Sequence, residues 1–462
     1  MKSIFIIFII SICCIQINAQ KNLSDSELNL IKLSLEKSYA LKEAGYNLSI
    51  DSIEYKGIRQ NFIPTLEFDA SYGYGSTQIT ADIPTIQLPI TGTNLFEGET
   101  QYNAKGSILN ANLTAKALLF SGFQVNYGSK ATGEKIKAKN YLIFKERADI
   151  IKDVIDTFDK IELLNQSESV LEASLIRIAK EKKRVQKAIE NGLATPYDRG
   201  KIIAAELNLA SKQTELYGNL NLLFLKLSML TGIEVSTLEK YEFELKPWFI
   251  KTSENSFADR PEVKALDASI NAYEYKLKMN KNLFLPKIQA LASVSYANLF
   301  NAELDTPYTT IIGDEPVNLK LNKLELFPTY FIGVGMQWDI FSGLKHDNEI
   351  DRTSIEKTII EDKKADAVEK LELFSKKVQV DFEVKNQQLL YKEQEKQVAF
   401  NTLDLAIKSY QLGLVSITDR LEAETDYQEV VFDYYKLIAE QRMTALELLI
   451  STGSLKVPNL NH

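Results

Sequence analysis

Two identical tripeptides, Phe120-Ser121-Gly122 and Phe341-Ser342-Gly343, lie 221 residues apart in this chain. The same offset relates Gly192-Leu193 to Gly413-Leu414, Asp198 to Asp419, and Thr231-Gly232 to Thr452-Gly453, while Pro64 recurs as Pro286, one residue out of register. A period this long means two structural halves and excludes the short stacked units of a solenoid. The halves are residues 20-232 and 261-453. A connector, 233-260, joins them where Pro247, Ser253-Glu254 and Asp259-Arg260-Pro261 interrupt the helical pattern. A short tail, 454-462, follows.

Within each half the hydrophobic period switches between 3.6 and 2. Residues 24-61 read as a helix opened by a Ser24/Glu27 capping box and closed near Pro64. Strands are expected at about 66-75, 107-120, 287-296 and 330-341. In the first, Leu66, Phe68, Ala70, Tyr72 and Tyr74 alternate with Glu67, Asp69, Ser71, Gly73 and Gly75; in the last, Tyr330, Ile332, Val334, Met336, Trp338 and Ile340 alternate with small and polar residues. Segments 124-190 and 345-411 contain no proline, and each would make a helix roughly 100 Å long at about 1.5 Å per residue. Their partners are expected up to 231 and over 416-451. Apolar residues spaced by three and four, such as Leu371, Phe374, Val378 and Phe382, Leu403, Ile407, Tyr410 and Leu414, or Tyr427, Val431, Tyr434 and Ile438, predict helices packed along their length.

Composition narrows the functional classes. Of 462 residues 45% are hydrophobic and 25% charged, with a net charge of -8; mean hydropathy is -0.16. These values fit neither a disordered chain nor a bundle of membrane-crossing helices, each of which needs about 20 apolar residues. The mild acidity argues against a nucleic-acid partner. With His346 and His462 as the chain's two histidines, His-based triads and multi-His zinc sites lack raw material. No phosphate loop, metal cluster or paired nucleophile and base is evident, so no enzyme, cofactor or resident metal is expected. At the N-terminus Lys2, the apolar run Ile4 to Ile15 and Ile17-Asn18-Ala19 read as a signal peptide, 1-19. Both cysteines, Cys13 and Cys14, fall within it. A lipid anchor on either is the competing reading.

An isolated alternating strand suits a soluble sandwich. Four strands of about 10 residues, each long enough to cross a bilayer at a tilt and each apolar on one side, suit a membrane barrel better. Tyr72, Tyr74, Tyr296, Tyr330 and Trp338 would form its interfacial aromatic girdle. Four strands cannot sit open in lipid with unpaired backbone, so they must close with copies from other chains.

The long helices are expected to end at matching tips. Gly192 and Gly413 suit positive-φ caps; Thr195 and Ser416 suit N-caps, with Asp198 and Asp419 three residues on and Pro196 at the first helical position. The aspartates either serve the turn alone or also line a constriction.

The combination of P-x-[LI] before a strand, F-S-G after one, a G-L-x-[ST]-x-x-D tip and a terminal T-G, each present twice, resembles the outer membrane efflux proteins of the TolC type. The match is fullest at Gly413-Leu414-Val415-Ser416-Ile417-Thr418-Asp419; the first tip departs from it at Pro196-Tyr197. The resemblance implies a mainly α fold with a transmembrane β-barrel part. Each chain would be a duplicated unit of long antiparallel coiled-coil helices plus four strands, closing as a homotrimer into a twelve-stranded barrel in outer membrane lipid and an α-helical periplasmic tunnel. It also implies an exit duct that passively conducts substrates handed over by a periplasmic adaptor (membrane fusion) protein and an inner-membrane pump. Gly192, Leu193, Gly413 and Leu414 would meet the adaptor, while Asp198, Thr418 and Asp419 would lie at the periplasmic aperture. An exit duct for type I protein secretion and a structural coiled-coil protein of the periplasm remain the alternatives. The long segments 76-106 and 297-328, with Pro84, Pro89, Pro307, Pro316 and Pro328, leave loop contacts open.

Overall fold

The structure, a computed structural model, describes residues 23–82, 84, 90, 99–250, 260–309, 316–452 and 455. The expected signal peptide, most of the tail and part of the connector lie outside the described residues. Its elements are α1 (Asp25–Lys37), α2 (Tyr39–Gln60), β1 (Thr65–Asp82), β2 (Glu99–Phe120), α3 (Gln124–Glu190), α4 (Pro196–Thr231), α5 (Val235–Leu238), α6 (Pro261–Lys281), β3 (Lys287–Thr309), β4 (Pro316–Gln337), α7 (Lys345–Gln411) and α8 (Ile417–Ser451). The fold is mainly helical, with one four-stranded antiparallel sheet in the order β1-β2-β3-β4. Two compact units form. One holds residues 52–133 and 272–356, which include the sheet; the other, helical, holds the remainder. Each unit takes equivalent stretches from both repeats.

The long helices occupy the expected 67 residues each, 124–190 and 345–411. What starts them is the F-S-G motif. Ser121 Oγ accepts the Val125 N–H at 3.3 Å and Ser342 Oγ accepts the His346 N–H at 3.4 Å. Gly122-Phe123 and Gly343-Leu344 all take positive φ, so the same strand-to-helix turn is built twice. The single helix expected over 24-61 is instead two. The Ser24/Glu27 capping box forms, but Ser38 closes α1 through its N–H to Ser34 O and opens α2 by accepting the Leu41 N–H on its hydroxyl.

Strand length is the main correction. The strands run 18, 22, 23 and 22 residues rather than about ten, so much of 76-106 and 297-328 is sheet. The last strand ends at Gln337, short of the expected 341. Prolines 316 and 328 lie within β4, where an edge strand tolerates them; Phe327 and Pro328 together oppose Tyr296, a bulge marked by the register shift between Ser295 and Ala297. A second bulge sets Asn301 and Ala302 opposite Gly106.

Register explains why alternation faded where it did. Tyr72 pairs with Leu109, Ala111 with Tyr296, and Val294 with Tyr330, so all four apolar rows share one face. Beyond Tyr74 the two faces exchange chemistry. The first face continues as Ser76, Gln78 and Thr80 on β1, Gln101, Asn103 and Lys105 on β2, Glu303 and Asp305 on β3, and Lys320, Lys323 and Glu325 on β4. The second face becomes Ile79 and Ala81, Tyr102, Ala104 and Ile108, Leu299, Ala302 and Leu304, and Leu321, Leu324 and Leu326. An alternation whose phase inverts midway reads as the end of a strand.

In the helical unit, Leu171, Ile178 and Val185 on α3 and Ile202, Leu209 and Leu216 on α4 recur every seventh residue, an antiparallel coiled-coil seam. On α8 the buried seam runs Ile417, Arg420, Glu424, Gln428, Val431, Ile438, Arg442 and Ala445, while the expected Tyr427 and Tyr434 are half-buried. Charge therefore lies inside. Arg442 is 2% exposed and donates from Nε to both carboxylate oxygens of Asp159, at 2.9 and 3.0 Å, and from Nη2 to Glu27. It stacks on Trp248, 4.4 Å from the ring centre, and donates to Lys246 O at 3.1 Å. Beside it Gln441 exchanges hydrogen bonds with the Trp248 backbone, at 3.0 and 2.7 Å. The connector is thus packed into the core by α8. A further row, Val384, Tyr391, Val398 and Leu405 on α7 and Leu412 just past it, repeats every seventh residue yet is exposed. So are Leu222, Leu225 and Met229 on α4.

Burial pushes the Asp159 carboxyl up to about 7, against the pull of Arg442. Folding then takes up a proton at this site, so its stabilising contribution grows as pH falls below about 7 and is lost as pH rises through that value. The midpoint of thermal unfolding, followed by far-UV circular dichroism in detergent, should rise between about pH 8 and about pH 5.5, and rise less in Asp159→Asn. An equal rise in both proteins would exclude Asp159 as the cause. Arg442→Ala strands two buried carboxylates and should cost about 3–5 kcal/mol, seen as a large fall in the same midpoint.

Candidate functional site: the hairpin tips and the amphipathic sheet

Each long helix closes with the same pair of backbone bonds. At the first tip the Gly192 N–H reaches Ile189 O at 3.0 Å and the Leu193 N–H reaches Ala188 O at 2.8 Å. At the second, the Gly413 N–H reaches Tyr410 O at 3.0 Å and the Leu414 N–H reaches Ser409 O at 2.9 Å. This is the Schellman motif, and it needs the left-handed φ of +70° and +73° that the two glycines adopt. Nothing lies within 4 Å of where a Cβ would stand, so conformation rather than space selects glycine here.

The return helices open with equally matched capping boxes. Thr195 N–H donates to Asp198 Oδ2 at 2.9 Å and its Oγ1 accepts the Asp198 N–H at 3.3 Å. Ser416 N–H donates to Asp419 Oδ2 at 2.9 Å and its Oγ accepts the Asp419 N–H at 3.2 Å. Both aspartates are therefore held by their turns. The bonds from Ser416 keep the Asp419 carboxyl below its ordinary value, so it remains charged at neutral pH. Thr418 and Asp419 are exposed and Asp198 half-exposed. Leu193 and Leu414 project from the turns at 83% and 72% exposure, two apolar side chains that the hairpins do not cover.

Behind the second tip lies a charge cluster that apolar spacing did not predict. Arg177 forks onto Glu424, with Nη2 to Oε1 at 2.6 Å and Nε to Oε1 at 3.0 Å. Arg420, 1% exposed, meets Glu424 Oε2 at 3.0 Å. Arg184 reaches Glu181 at 3.4 Å. Burial pushes the Tyr410 hydroxyl up, with the charges of Glu181 and Asp198 adding to it, which places the first tip's acid in the field of the second hairpin. The available signal was position: Arg420 and Glu424 occupy the same seam as Ile417 and Val431, where charged residues stay only if paired.

On the sheet, Tyr72, Tyr74 and Tyr330 stand exposed on the apolar face, at 72%, 74% and 69%. Tyr296 is half-buried on the same face, its ring 5.7 Å from that of Phe327. Register gathers these four near one end of the apolar rows. Trp338 lies past the end of β4, and its indole N–H donates to Phe284 O at 2.8 Å. From Leu66 to Tyr74, or from Ile288 to Phe300, a strand tilted by about 40° rises roughly 20–30 Å, the height of the apolar band of an outer membrane barrel. No helix among the described residues is long and apolar enough to cross a membrane.

No protein-family model matches the sequence, and no curated protein matches it. Solved structures do. The outer membrane channel CmeC of Campylobacter jejuni aligns with a TM-score of 0.71 at 13% identity, covering 94% of this chain and 87% of that one. The open state of the MtrE outer membrane channel of Neisseria gonorrhoeae gives 0.68 at 15% identity, over 93% and 89%. The outer membrane protein VceC of Vibrio cholerae gives 0.65 at 16% identity, over 92% and 96%. The chain has the fold of these TolC-like outer membrane channels.

Proposed function

We propose that this chain is one third of an outer membrane exit duct, conducting substrates passively from a periplasmic adaptor and an inner-membrane pump to the exterior. The observation that carries the reading is the sheet. It presents one continuous apolar face of membrane height, yet β1 and β4 leave its two edges open. Lipid tolerates such a sheet only when closed, and closure requires edges from further chains. Three copies would give twelve strands. The fold shared with outer membrane channels supports the same assembly. So does the exposed seven-residue row on α7, because a stripe of that spacing suits packing against a neighbouring helix.

The tips supply the second contact. Leu193 and Leu414, held outward by rigid turns, suit docking to the helical hairpins of an adaptor. Asp198 and Asp419 would ring the periplasmic aperture, six carboxylates in a trimer, and favour cations there. No chemistry is assigned to the duct; energy would come from the pump, and adaptor binding would shift the tips towards a dilated state that it binds more tightly.

Cells expressing the full chain should yield it from the outer membrane, and mild detergent should release a particle of three chains; recovery as a soluble periplasmic monomer would overturn the reading. In planar bilayers the double variant Asp198→Asn, Asp419→Asn, which keeps a capping acceptor at each turn, should lose cation preference. An unchanged reversal potential under a salt gradient would remove the aspartates from the aperture.

A further inference from the structure

A strand of more than 20 residues is about twice what a bilayer crossing needs. In the half of the sheet nearest the β1–β2 and β3–β4 connections, the face continuous with the apolar band is polar and paired. Lys320 meets Glu303 at 3.1 Å, Lys105 meets Asp305 at 3.4 Å, Lys323 meets Glu325, and Gln78 bonds Gln101 at 2.6 Å. That surface suits water. The opposite face carries Ile108, Leu299, Leu321, Leu324 and Leu326, and it is an ordered layer. Leu299 lies over Gly106, where a Cβ would come within 2.9 Å of its Cδ1, and Ile108 lies over Gly75 at 3.2 Å. Yet Leu324 and Leu326 remain 50% and 59% exposed. In water a sheet with one polar and one apolar face buries the apolar one.

Resting on the barrel proposed above, with its apolar band turned to lipid, we infer that the leucine faces of three copies pack on one another across the bore and close its outer mouth. Closure of the barrel leaves them no other orientation: if the band faces outward, the leucine layer beyond it faces the axis, where it meets the same layer of two further copies. The dimensions allow contact. Twelve strands about 4.8 Å apart and tilted by about 40° enclose a backbone diameter of about 24 Å, and side-chain layers about 5 Å deep leave a gap of about 14 Å. An inward lean of about 7 Å per sheet closes that gap. Both bulges, Phe327-Pro328 opposite Tyr296 and Asn301-Ala302 opposite Gly106, lie where the faces exchange. A bulge bends and twists its strand, and the Phe327-Pro328 bulge, next to Leu326, puts a bend at the base of the leucine layer. An amphipathic or apolar solute can replace leucine contacts as it passes, so the gate favours cargo of that class.

The chain's two cysteines, Cys13 and Cys14, lie in the segment read as signal peptide, so single cysteines can report on the sheet. Leu324→Cys and, separately, Glu325→Cys are made in the full chain and treated with a mild oxidant in the outer membrane, and the particle mass is measured on the same samples. The expected result is an intact trimer in which Leu324→Cys joins up to two of every three chains into a disulfide dimer. Glu325→Cys should stay monomeric on a non-reducing gel and react readily with a water-soluble maleimide. An intact trimer in which Leu324→Cys forms no dimer and takes the maleimide as fast as Glu325→Cys would overturn the gate. So would dimer formation through Glu325→Cys, which would put the wrong face inward. A particle other than a trimer would instead mark failure of the barrel on which the gate rests.

Discussion

The outer edges of β1 and β4 are the constraint on which the rest of this molecule turns. Each carries a row of backbone donors and acceptors along 18 or 22 residues. In water such an edge could be hydrated, but this sheet also presents an apolar band, from Leu66 to Tyr74 on β1 and across the neighbouring strands. Water satisfies the edges and penalises the face; hydrocarbon reverses both effects. Pairing edge to edge with further copies, as proposed above, would meet both demands.

Duplication accounts for how one chain meets this demand with little variety. The F-S-G turn, the 67-residue helix, the Schellman close and the capping box are each built twice with nearly the same hydrogen bonds. Sequence varies where the bonds do not depend on it: Pro196 and Ile417 both follow an N-cap, since the first helical N–H has no intrahelical partner in either case. The turns are backbone devices, and the residues retained are those that set φ or accept a backbone proton.

Those devices are also what made the helices readable. Caps at Ser24, Thr195 and Ser416 and the absence of proline over 124–190 and 345–411 placed helix ends to within a residue. Periodicity reveals only half the length of the sheet, for a physical reason. Alternation persists through residues 76–82 and 99–107 but with its phase inverted, and single-phase periodicity ends where Tyr74 gives way to Ser76. Pro316 and Pro328 mask the strand further, since nothing local reveals that β4 is an edge strand with a bulge. The break at Ser38 was hidden because both helices it joins follow the same period. Charged residues on the α8 seam are missed by an amphipathic template, which counts apolar positions, and Arg442 becomes legible only once its carboxylates, Asp159 and Glu27, are found far away in sequence.

That distance has its own consequence. Glu27 and the guanidinium that binds it are separated by 415 residues. The chain is made from its N-terminus, so α1 and α3 exist as polypeptide long before α8 arrives to close the core around Asp159 and Trp248. Until then two carboxylates have no cation and the connector has nothing to pack on. Long-range closure of this kind is slow and exposes sticky surface meanwhile. The last helix is thus a completion check: a product truncated before Arg442 lacks a finished core.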